Sequence, residues 1–440
     1  MDTIFVFILF FALLLFSLSH GVSILYPLVA GLVCFVLLAA RRGHPLKAIG
    51  RMIVNGAQKS LIVIKINVLI GAITAVWRAC GTVSFIVYYG IAFMSAKLFI
   101  VSAFLLTCLV SFLLGTSFGT VGTVGVVLMI LAKTGNVDIN MAAGAVIAGA
   151  YFGDRCSPMS SSANLVATLT NTRLYTNIAN MFQTAFIPLL LSVIAYTLLS
   201  WWNPLVYGDN QIDAEIRRTF QLGPVVLLPA VIILVPALFR VDVKISMALS
   251  ILSGLFIGLF VQEHSVPEMA RYIVWGYSME GGGVLADIIK GGGLYSMLNV
   301  SLVVLISSTY SGIFEGTGLL KELEAALEKL TVKIGEYASI VLTSIIAASF
   351  GCTQTLAVIL THQFQEKIYA RRQIGNSQLA LDLENSVIVL SALIPWNIAS
   401  AVPVATLSAD AGCILYAFYL FLIPLVNLLW RKPAPAETSG

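Results

Sequence analysis

Two polar interruptions in the first half of the chain carry residue types that could bind a cation. The first, 115–120, is a run of glycine, threonine and serine inside an apolar stretch. Glycine lets a helix unwind cheaply, and hydroxyls can rebond the backbone groups that unwinding frees. Unwound carbonyls and half-helix ends can hold ions in the middle of a membrane. The run therefore predicts a broken helix at an ion site, with close packing through small residues as the alternative.

The second interruption, 153–164, adds an acid and a proline. A carboxylate such as that of Asp154 costs at least ~2.5 kcal/mol at membrane depth, so its presence there is a hypothesis of function by default. The alternatives for Asp154 are pairing with Arg155 and capping a helix. Hydroxyl and amide oxygens that suit a hard monovalent cation or a polar organic ligand follow at Ser157, Ser160, Ser161, Ser162 and Asn164.

Similar interruptions recur in the second half of the chain. The run 348–353 repeats a Ser-Phe-Gly triplet, so that Ser117 is paired with Ser349. The stretch 384–397 repeats the combination of an acid, hydroxyls, a proline and an amide. Paired Gly-interrupted segments are the best pointer in a sequence to a transporter site. Glu384 or Asp382 is the second candidate for an ionisable carboxylate, with a loop-facing acid as the alternative.

These residues together define the candidate binding site, in which hydroxyls and carbonyls hold a monovalent cation and Asp154 and Glu384 are the ionisable carboxylates. The first half supplies Thr116, Ser117, Thr120, Asp154, Ser157, Ser161 and Asn164. The second half supplies Ser349, Thr353, Glu384, Asn385, Ser391 and Asn397.

The elements that must position these residues are membrane helices. Of the 440 residues, 59% are hydrophobic and 10% are charged, whereas roughly 25% of residues carry charge in soluble proteins. Uncharged runs such as 3–40 and 98–132 exceed the ~18 residues of a spanning candidate. The composition predicts an all-α polytopic membrane protein with about 11–13 passes and discontinuous helices.

The order of segments indicates two repeats. We expect a first transmembrane repeat at 1–202, a linker at 203–222, a second repeat at 223–433 and a short tail at 434–440. The opening apolar run is read as a membrane hairpin, because no basic region precedes it as in a signal peptide. An amphipathic interfacial helix is predicted at 318–330.

Basic residues mark the loops. Arg41, Arg42, Lys47, Arg51 and Lys59 form a stretch without acids, which predicts that 41–59 and the N-terminus lie on the cytoplasmic side of a bacterial-type cell membrane. Arg431 and Lys432 predict a cytoplasmic C-terminus as well. The net charge of +4 is too small to indicate a nucleic-acid partner. We expect no cofactor, and membrane lipid, Na⁺ and H⁺ as partners. A small organic solute and a second copy of the chain stay open.

The sequence lacks the signature motifs of several other classes of protein. The sequence has no P-loop, no His-Glu-x-x-His and no Gly-x-Gly-Asp, so we expect transport driven by gradients and no enzymatic reaction. The six cysteines show no CxxC spacing and read as small buried residues. A channel lined by the same residue types is the harder alternative, and the duplicated breaks favour alternating access.

The motifs in order along the chain resemble the NhaC family of sodium/proton antiporters. The resemblance rests on 149–154 leading to Ser157-Pro158 and Asn164-Leu165, on 115–120, on 292–297 with 311–315, and on 393–397. It extends from about residue 50 to 425. It implies an inverted-repeat secondary transporter that exchanges Na⁺ for H⁺. One branch of that family exchanges malate for lactate, with Na⁺ and H⁺ moving alongside.

One residue departs from the family pattern. The family usually has an acid where this chain has Ser161. Either Asp154 or Glu384 then takes over the titrating role, or the chain is a Na⁺-coupled carrier of an amino acid or small carboxylate. In that second reading, Arg155 and Arg78 are possible partners for the carboxylate of the solute, with snorkelling to an interface as the alternative.

Overall fold

The computed structural model describes residues 2–20, 22–93, 95–206, 211–239, 241, 243–279, 284–318, 335–351 and 353–430. Within these ranges the chain is helical, apart from turns, loops and one isolated bridge between Tyr277 and Gly291. The predicted interfacial helix at 318–330 lies outside the described residues apart from Gly318, and so does the predicted tail at 434–440.

Twenty-two α-helices follow one another along the described chain. Those before residue 203 are α1 (Asp2–Ser19), α2 (Leu25–Arg41), α3 (Leu46–Ala79), α4 (Thr82–Phe93), α5 (Phe99–Leu114), α6 (Ser117–Thr120), α7 (Val126–Thr134), α8 (Ile139–Cys156), α9 (Ser161–Leu169) and α10 (Leu174–Trp202). Those after it are α11 (Gln211–Thr219), α12 (Leu228–Leu238), α13 (Val243–Phe260), α14 (Val266–Trp275), α15 (Val284–Ile289), α16 (Leu298–Thr317), α17 (Glu336–Gly351), α18 (Gln354–Arg371), α19 (Asn376–Glu384), α20 (Val387–Leu390), α21 (Ile398–Thr406) and α22 (Phe418–Leu429).

Many of these helices are apolar enough to cross a bilayer. By length and composition five described helices qualify as spans, and a sixth results if the pair Asn376–Leu393 and Ile398–Thr406, bent by 53°, counts as one. Six shorter apolar helices of 10–17 residues accompany them. The prediction of an all-α polytopic membrane protein is therefore confirmed. The number of passes and the inverted relation of the halves stay predictions.

Four helices restart next to a polar side chain that caps the new segment. Thr116 Oγ1 accepts from the Gly119 amide at 3.4 Å, and Ser160 Oγ accepts from the amides of Ser162 and Ala163 at 3.1 Å. Thr353 Oγ1 accepts from the Leu356 amide at 3.2 Å, and Asn397 Oδ1 accepts from the Ala399 amide at 3.0 Å. Each cap satisfies backbone N–H groups that a restarting helix leaves without partners. The predicted discontinuous helices are thus present.

The predicted pairing of the two Ser-Phe-Gly runs has the wrong register. The first break comes before its run, so that Ser117 begins α6. The second comes after its run, because Ser349 lies in α17, which ends at Gly351. The reason is that the capping threonine fixes where a helix restarts. The residues that take the same position relative to a break are therefore Thr116 and Thr353, which both cap the helix that follows.

The first break packs directly against the break between α8 and α9. Gly115 has a φ of 65°, a left-handed conformation that glycine adopts without strain. A Cβ atom there would lie 2.5 Å from the carbonyl carbon of Met159, which belongs to the break between α8 and α9. Beyond it, α6 and α7 form one span through a π-helical turn at Val121–Gly125.

The long helices α3 and α16 form an antiparallel pair beside these breaks. Gly56 lies against the backbone of Ser308 and Gly312, whereas Asn67, further along α3, donates to Ser301 Oγ at 3.3 Å. Small residues let two membrane helices approach this closely. The pair forms one wall of the cavity described next.

Candidate functional site

A cavity of about 590 Å³ lies where the four restarting helices meet the α3–α16 pair. Of the thirteen residues predicted from the sequence, five line it: Thr116, Ser117, Asp154, Ser161 and Thr353. The cavity also has polar lining residues that the candidate site did not include: Ser60, Ser162, Ser308, Ser311, Glu315, Gln354 and Thr355. Its described lining has two carboxylates, several hydroxyls and an amide, but no lysine, arginine or histidine.

Asp154 is the buried acid of this cavity. It lies in the last turn of α8, and 4% of the residue is exposed. Its Oδ2 accepts from Gln354 Nε2 at 3.1 Å and from Ser162 Oγ at 3.3 Å. Both of these donors are neutral. The carboxylate is therefore solvated by dipoles without being neutralised by a positive side chain.

Gln354 connects Asp154 to the second half of the chain. It is the first residue of α18, immediately after the capping Thr353. Its Nε2 donates to the Ile388 carbonyl at 3.1 Å as well as to Asp154, while its Oε1 accepts from Ser162 at 3.1 Å. Gln354 was not among the residues predicted from the sequence. The only sequence feature that indicates it is its position directly after the helix-capping Thr353.

Arg155, the neighbour of Asp154, points into a different part of the protein. It is fully buried, and it does not line the cavity. Its guanidinium donates to Thr184 Oγ1 at 2.9 Å, to the Tyr419 hydroxyl at 3.2 Å and to Asn385 Oδ1, and its Nε donates to the Glu384 carbonyl at 3.2 Å. With these partners it neither snorkels to an interface nor reaches a solute in the cavity.

The acids predicted for the second half also lie outside the cavity. Glu384 is fully buried, neither of its carboxylate oxygens has a hydrogen-bond partner among the described residues, and the Arg155 guanidinium is near enough to attract it. Asp382 accepts from the Tyr369 hydroxyl at 2.7 Å and from Gln378 Nε2 at 2.8 Å. Glu384 and Arg155 thus lie together in the core, outside the cavity, and the bond from Arg155 Nε to the Glu384 carbonyl joins them.

The remaining predicted oxygens and amides bond to other groups of the protein, within a helix or between neighbouring elements. Polar side chains beside a helix break often bond to nearby backbone in place of a ligand. Thr120 donates to the Thr116 carbonyl at 2.8 Å, Ser157 accepts from the Met159 amide at 3.1 Å, Asn164 donates to the Ser160 carbonyl at 2.6 Å, Ser391 donates to the Val387 carbonyl at 2.7 Å, and Asn397 donates to the Ala348 carbonyl at 2.7 Å. Asn385 accepts from Arg155, and the carbonyl of buried Ser349 accepts from Trp396 Nε1 at 2.9 Å.

Arg78 is likewise remote from the cavity lining. It is buried near the end of α3, and its Nη1 donates to the Thr74 carbonyl at 2.7 Å. Neither arginine considered as a partner for an organic carboxylate therefore lies in the cavity. Ser161 does line it, so the position where the NhaC family usually has an acid faces the cavity with a hydroxyl.

Characterised proteins with similar sequences are antiporters. The Na⁺/H⁺ antiporter NhaC of Alkalihalophilus pseudofirmus is 29% identical over 91% of this chain and 88% of its own length. The malate-2H⁺/Na⁺-lactate antiporter of Bacillus subtilis is 26% identical over 82% of this chain and 79% of its own length. The arginine/ornithine antiporter ArcD of Halobacterium salinarum is 25% identical, with 88% and 83% covered.

A family model matches most of the residues that line the cavity. The model of the Na⁺/H⁺ antiporter family matches residues 149–429, which is more than half of the chain. The matched part includes Asp154, the break between α8 and α9, and the helices α16, α18 and α21 that line the cavity. With its membrane helices broken around a buried carboxylate, the chain belongs to the Na⁺/H⁺ antiporter family.

Proposed function

We propose that this protein exchanges Na⁺ for H⁺ across a membrane and that Asp154 is the carboxylate for which the two cargoes compete. The observation that carries the proposal is the buried carboxyl group of Asp154 in a polar cavity, with only neutral hydrogen-bond donors around it. The protein then works as a carrier driven by gradients, without a cofactor and without chemical conversion of its cargo.

The physical reason is the cost of an isolated charge in the membrane. A bare carboxylate at this depth is unfavourable unless a cation or a proton neutralises it. Hydroxyl and amide oxygens at Ser162 and Gln354 can complete the shell of a dehydrated Na⁺ beside Asp154. Because a proton would occupy the same carboxylate oxygens, binding of one cargo displaces the other. That competition is what an exchanger needs.

The cavity favours a cation over an organic acid. The relatives named above differ in cargo, and one of them is named for malate and lactate. In this chain the described lining has the carboxylates of Asp154 and Glu315 and no positive side chain. An organic dianion would therefore meet like charge in the cavity without a partner. The alternative of a Na⁺-coupled carrier of small carboxylates is not favoured.

We also propose a bacterial-type cell membrane as the location, with both termini in the cytoplasm. The support is the exposed basic cluster between the end of α2 and the first turns of α3, which includes Arg41, Arg42, Lys47 and Arg51. A thiol introduced at Gly43 should be labelled by an impermeant reagent only in inside-out vesicles. Labelling from the outside would contradict this orientation.

The test of the exchange is Asp154→Asn in proteoliposomes that contain a dye reporting internal pH. We expect the wild-type protein to move protons when a Na⁺ gradient is imposed, without added solute, and the variant to give the signal of protein-free liposomes. Asp138→Asn is the matched control, because Asp138 caps the other end of the same helix and Asn caps equally well. Wild-type exchange by Asp154→Asn would contradict the assignment, and flux that requires a carboxylate or amino acid would support the carrier.

A further inference from the structure

We propose that Glu315, Ser311 and Ser308 form a second binding site for Na⁺ or another monovalent alkali cation in the same cavity. This site would be filled before Asp154 by cations that enter from the membrane face at which α16 ends. The proposal rests on the proposed function, since it adds a step to the binding of the cation that Asp154 exchanges.

The three side chains lie on one face of α16. Residues three and four positions apart are neighbours on a helix surface, and Ser308, Ser311 and Glu315 have these spacings. All three line the cavity that contains Asp154. Ser311 Oγ donates to Glu315 Oε1 at 3.2 Å, which orients the carboxylate along the helix. At 1.5 Å of rise per residue, the row from Ser308 to Glu315 is about 10.5 Å long.

Ser308 supplies the independent indication of a ligand. It lines the cavity with 2% of its surface exposed, and its hydroxyl has no hydrogen-bond partner among the described residues. A buried hydroxyl without a partner is unfavourable, so native proteins rarely leave one. A cation bound between Ser308 and Glu315 would use this oxygen.

The position of Glu315 gives the order of filling. Glu315 is exposed and lies two residues before the end of α16, whereas Asp154 is buried. The neighbouring Gly316 lies against Met52, near the start of α3, so the two helix ends are at the same face of the membrane. A carboxylate at a cavity mouth raises the local concentration of cations. Ions entering from this face therefore meet Glu315 before Asp154.

The test measures the apparent KM for Na⁺ separately at each membrane face, in right-side-out and inside-out vesicles. We expect Glu315→Gln to raise this KM roughly 3- to 10-fold at the face where α16 ends, because one attractive charge is lost there. The KM at the opposite face should keep its wild-type value. Ser308→Ala should shift the KM in the same direction with the charge of Glu315 intact. Glu366→Gln is the control, since Glu366 is an exposed acid of α18 that does not line the cavity.

The outcomes separate this site from the exchange itself. If Asp154→Asn abolishes transport while Glu315→Gln and Ser308→Ala behave as wild type at both faces, the second site is wrong and the exchange stands. Equal loss at both faces in a Glu315→Gln protein that elutes normally in size-exclusion chromatography would also overturn the second site. If Glu315→Gln fails to fold, the KM ratio between the two faces in Ser308→Ala decides.

Discussion

The neighbours Asp154 and Arg155 show how much one step along a helix changes the role of a charge. Successive helical residues point about 100° apart, so the acid faces the cavity while the arginine enters the core with Glu384 and Asn385. If Arg155 paired with Asp154, it would neutralise the carboxylate, and the cavity would attract a cation less strongly. Sequence adjacency suggested that pair, and the helical geometry prevents it.

A double-mutant cycle tests whether Arg155 and Glu384 stabilise each other. Arg155→Met removes the donor of several buried hydrogen bonds and the positive charge that lies near Glu384, so we expect it to lower the free energy of unfolding by about 3–5 kcal/mol. Combining it with Glu384→Gln should recover about 1–3 kcal/mol relative to the sum of the single changes. Denaturant unfolding of the detergent-purified protein measures both values.

Arg173→Met is the control for this cycle, because Arg173 is exposed and makes no side-chain capping bond at the start of α10. Strictly additive effects would show that Glu384 does not depend on Arg155.

Only some of the residues that line the cavity stand out in the sequence. Thr116, Ser117, Asp154, Ser161 and Thr353 stand out because they interrupt apolar runs, and they line the cavity. Asn397 stands out equally, yet its side chain caps α21 and bonds to the Ala348 carbonyl. A sequence does not say whether a polar side chain beside a break serves the backbone or a ligand. Glu315 was missed because it ends an unbroken apolar helix and reads as an interfacial acid.

At the scale of elements, the packing of α8 against α5 fixes where Asp154 lies. Gly149 and Gly153 are four residues apart on α8, and both face α5. A Cβ on Gly149 would lie 2.7 Å from the Phe104 carbonyl oxygen, and one on Gly153 would lie 2.0 Å from the Ser111 carbonyl carbon. Ser111 in turn donates to the Ala150 carbonyl. The two backbones are therefore in direct contact one residue before the acid.

Gly153→Ala should separate these two helices. We expect the free energy of unfolding to fall by about 1–3 kcal/mol through overpacking, and Na⁺/H⁺ exchange to fall because Asp154 moves with α8. The matched control is Gly50→Ala in α3, where no atom lies within 4 Å of the added Cβ. That change should be neutral or stabilise by up to about 1 kcal/mol. Unfolding and flux are measured on both variants, and wild-type flux in Gly153→Ala would contradict the prediction.

Element boundaries mark the limit of what the sequence predicted about the fold. Glycine and hydroxyl runs correctly indicated that helices break at 115–116 and before Thr353. They did not give the register, because Ser-Phe-Gly is compatible with either side of a break and only the capping bond decides. The capping hydrogen bonds show where each helix restarts, and comparing the two halves of the sequence does not reveal these bonds.

For the whole molecule, the cavity around Asp154 has a counterpart toward the other end of α16. A second cavity of about 570 Å³ is lined by Asn299, near the start of α16, and by Ala401 and Asp410. Glu315, near the end of α16, belongs to the first cavity. The helix α21 contributes Ile398 to the first cavity and Ala401 to the second. It therefore lies between two spaces that extend toward opposite faces.

Alternating access predicts that these two spaces open reciprocally. Thr355→Cys places a thiol in the first cavity and Ala401→Cys places one in the second. We expect a change from Na⁺-free to saturating Na⁺ buffer to alter their rates of labelling by an impermeant thiol reagent in opposite directions. The parent protein gives the background from native cysteines. Rates that rise together, or that ignore Na⁺, would favour a channel.

We expect the side-chain amide of Gln354 to respond differently to Na⁺ and to a proton at Asp154. It now presents N–H groups to Asp154 and to the Ile388 carbonyl, an orientation that suits an ionised acid, which only accepts. A protonated acid also offers a donor, and we expect it to turn the amide so that oxygen faces Asp154. The Ile388 carbonyl would then lose its partner, and α18 would lose a bond to α20. We therefore expect protonation of Asp154, in the first half, to loosen the segment that leads to the break before α21 in the second half.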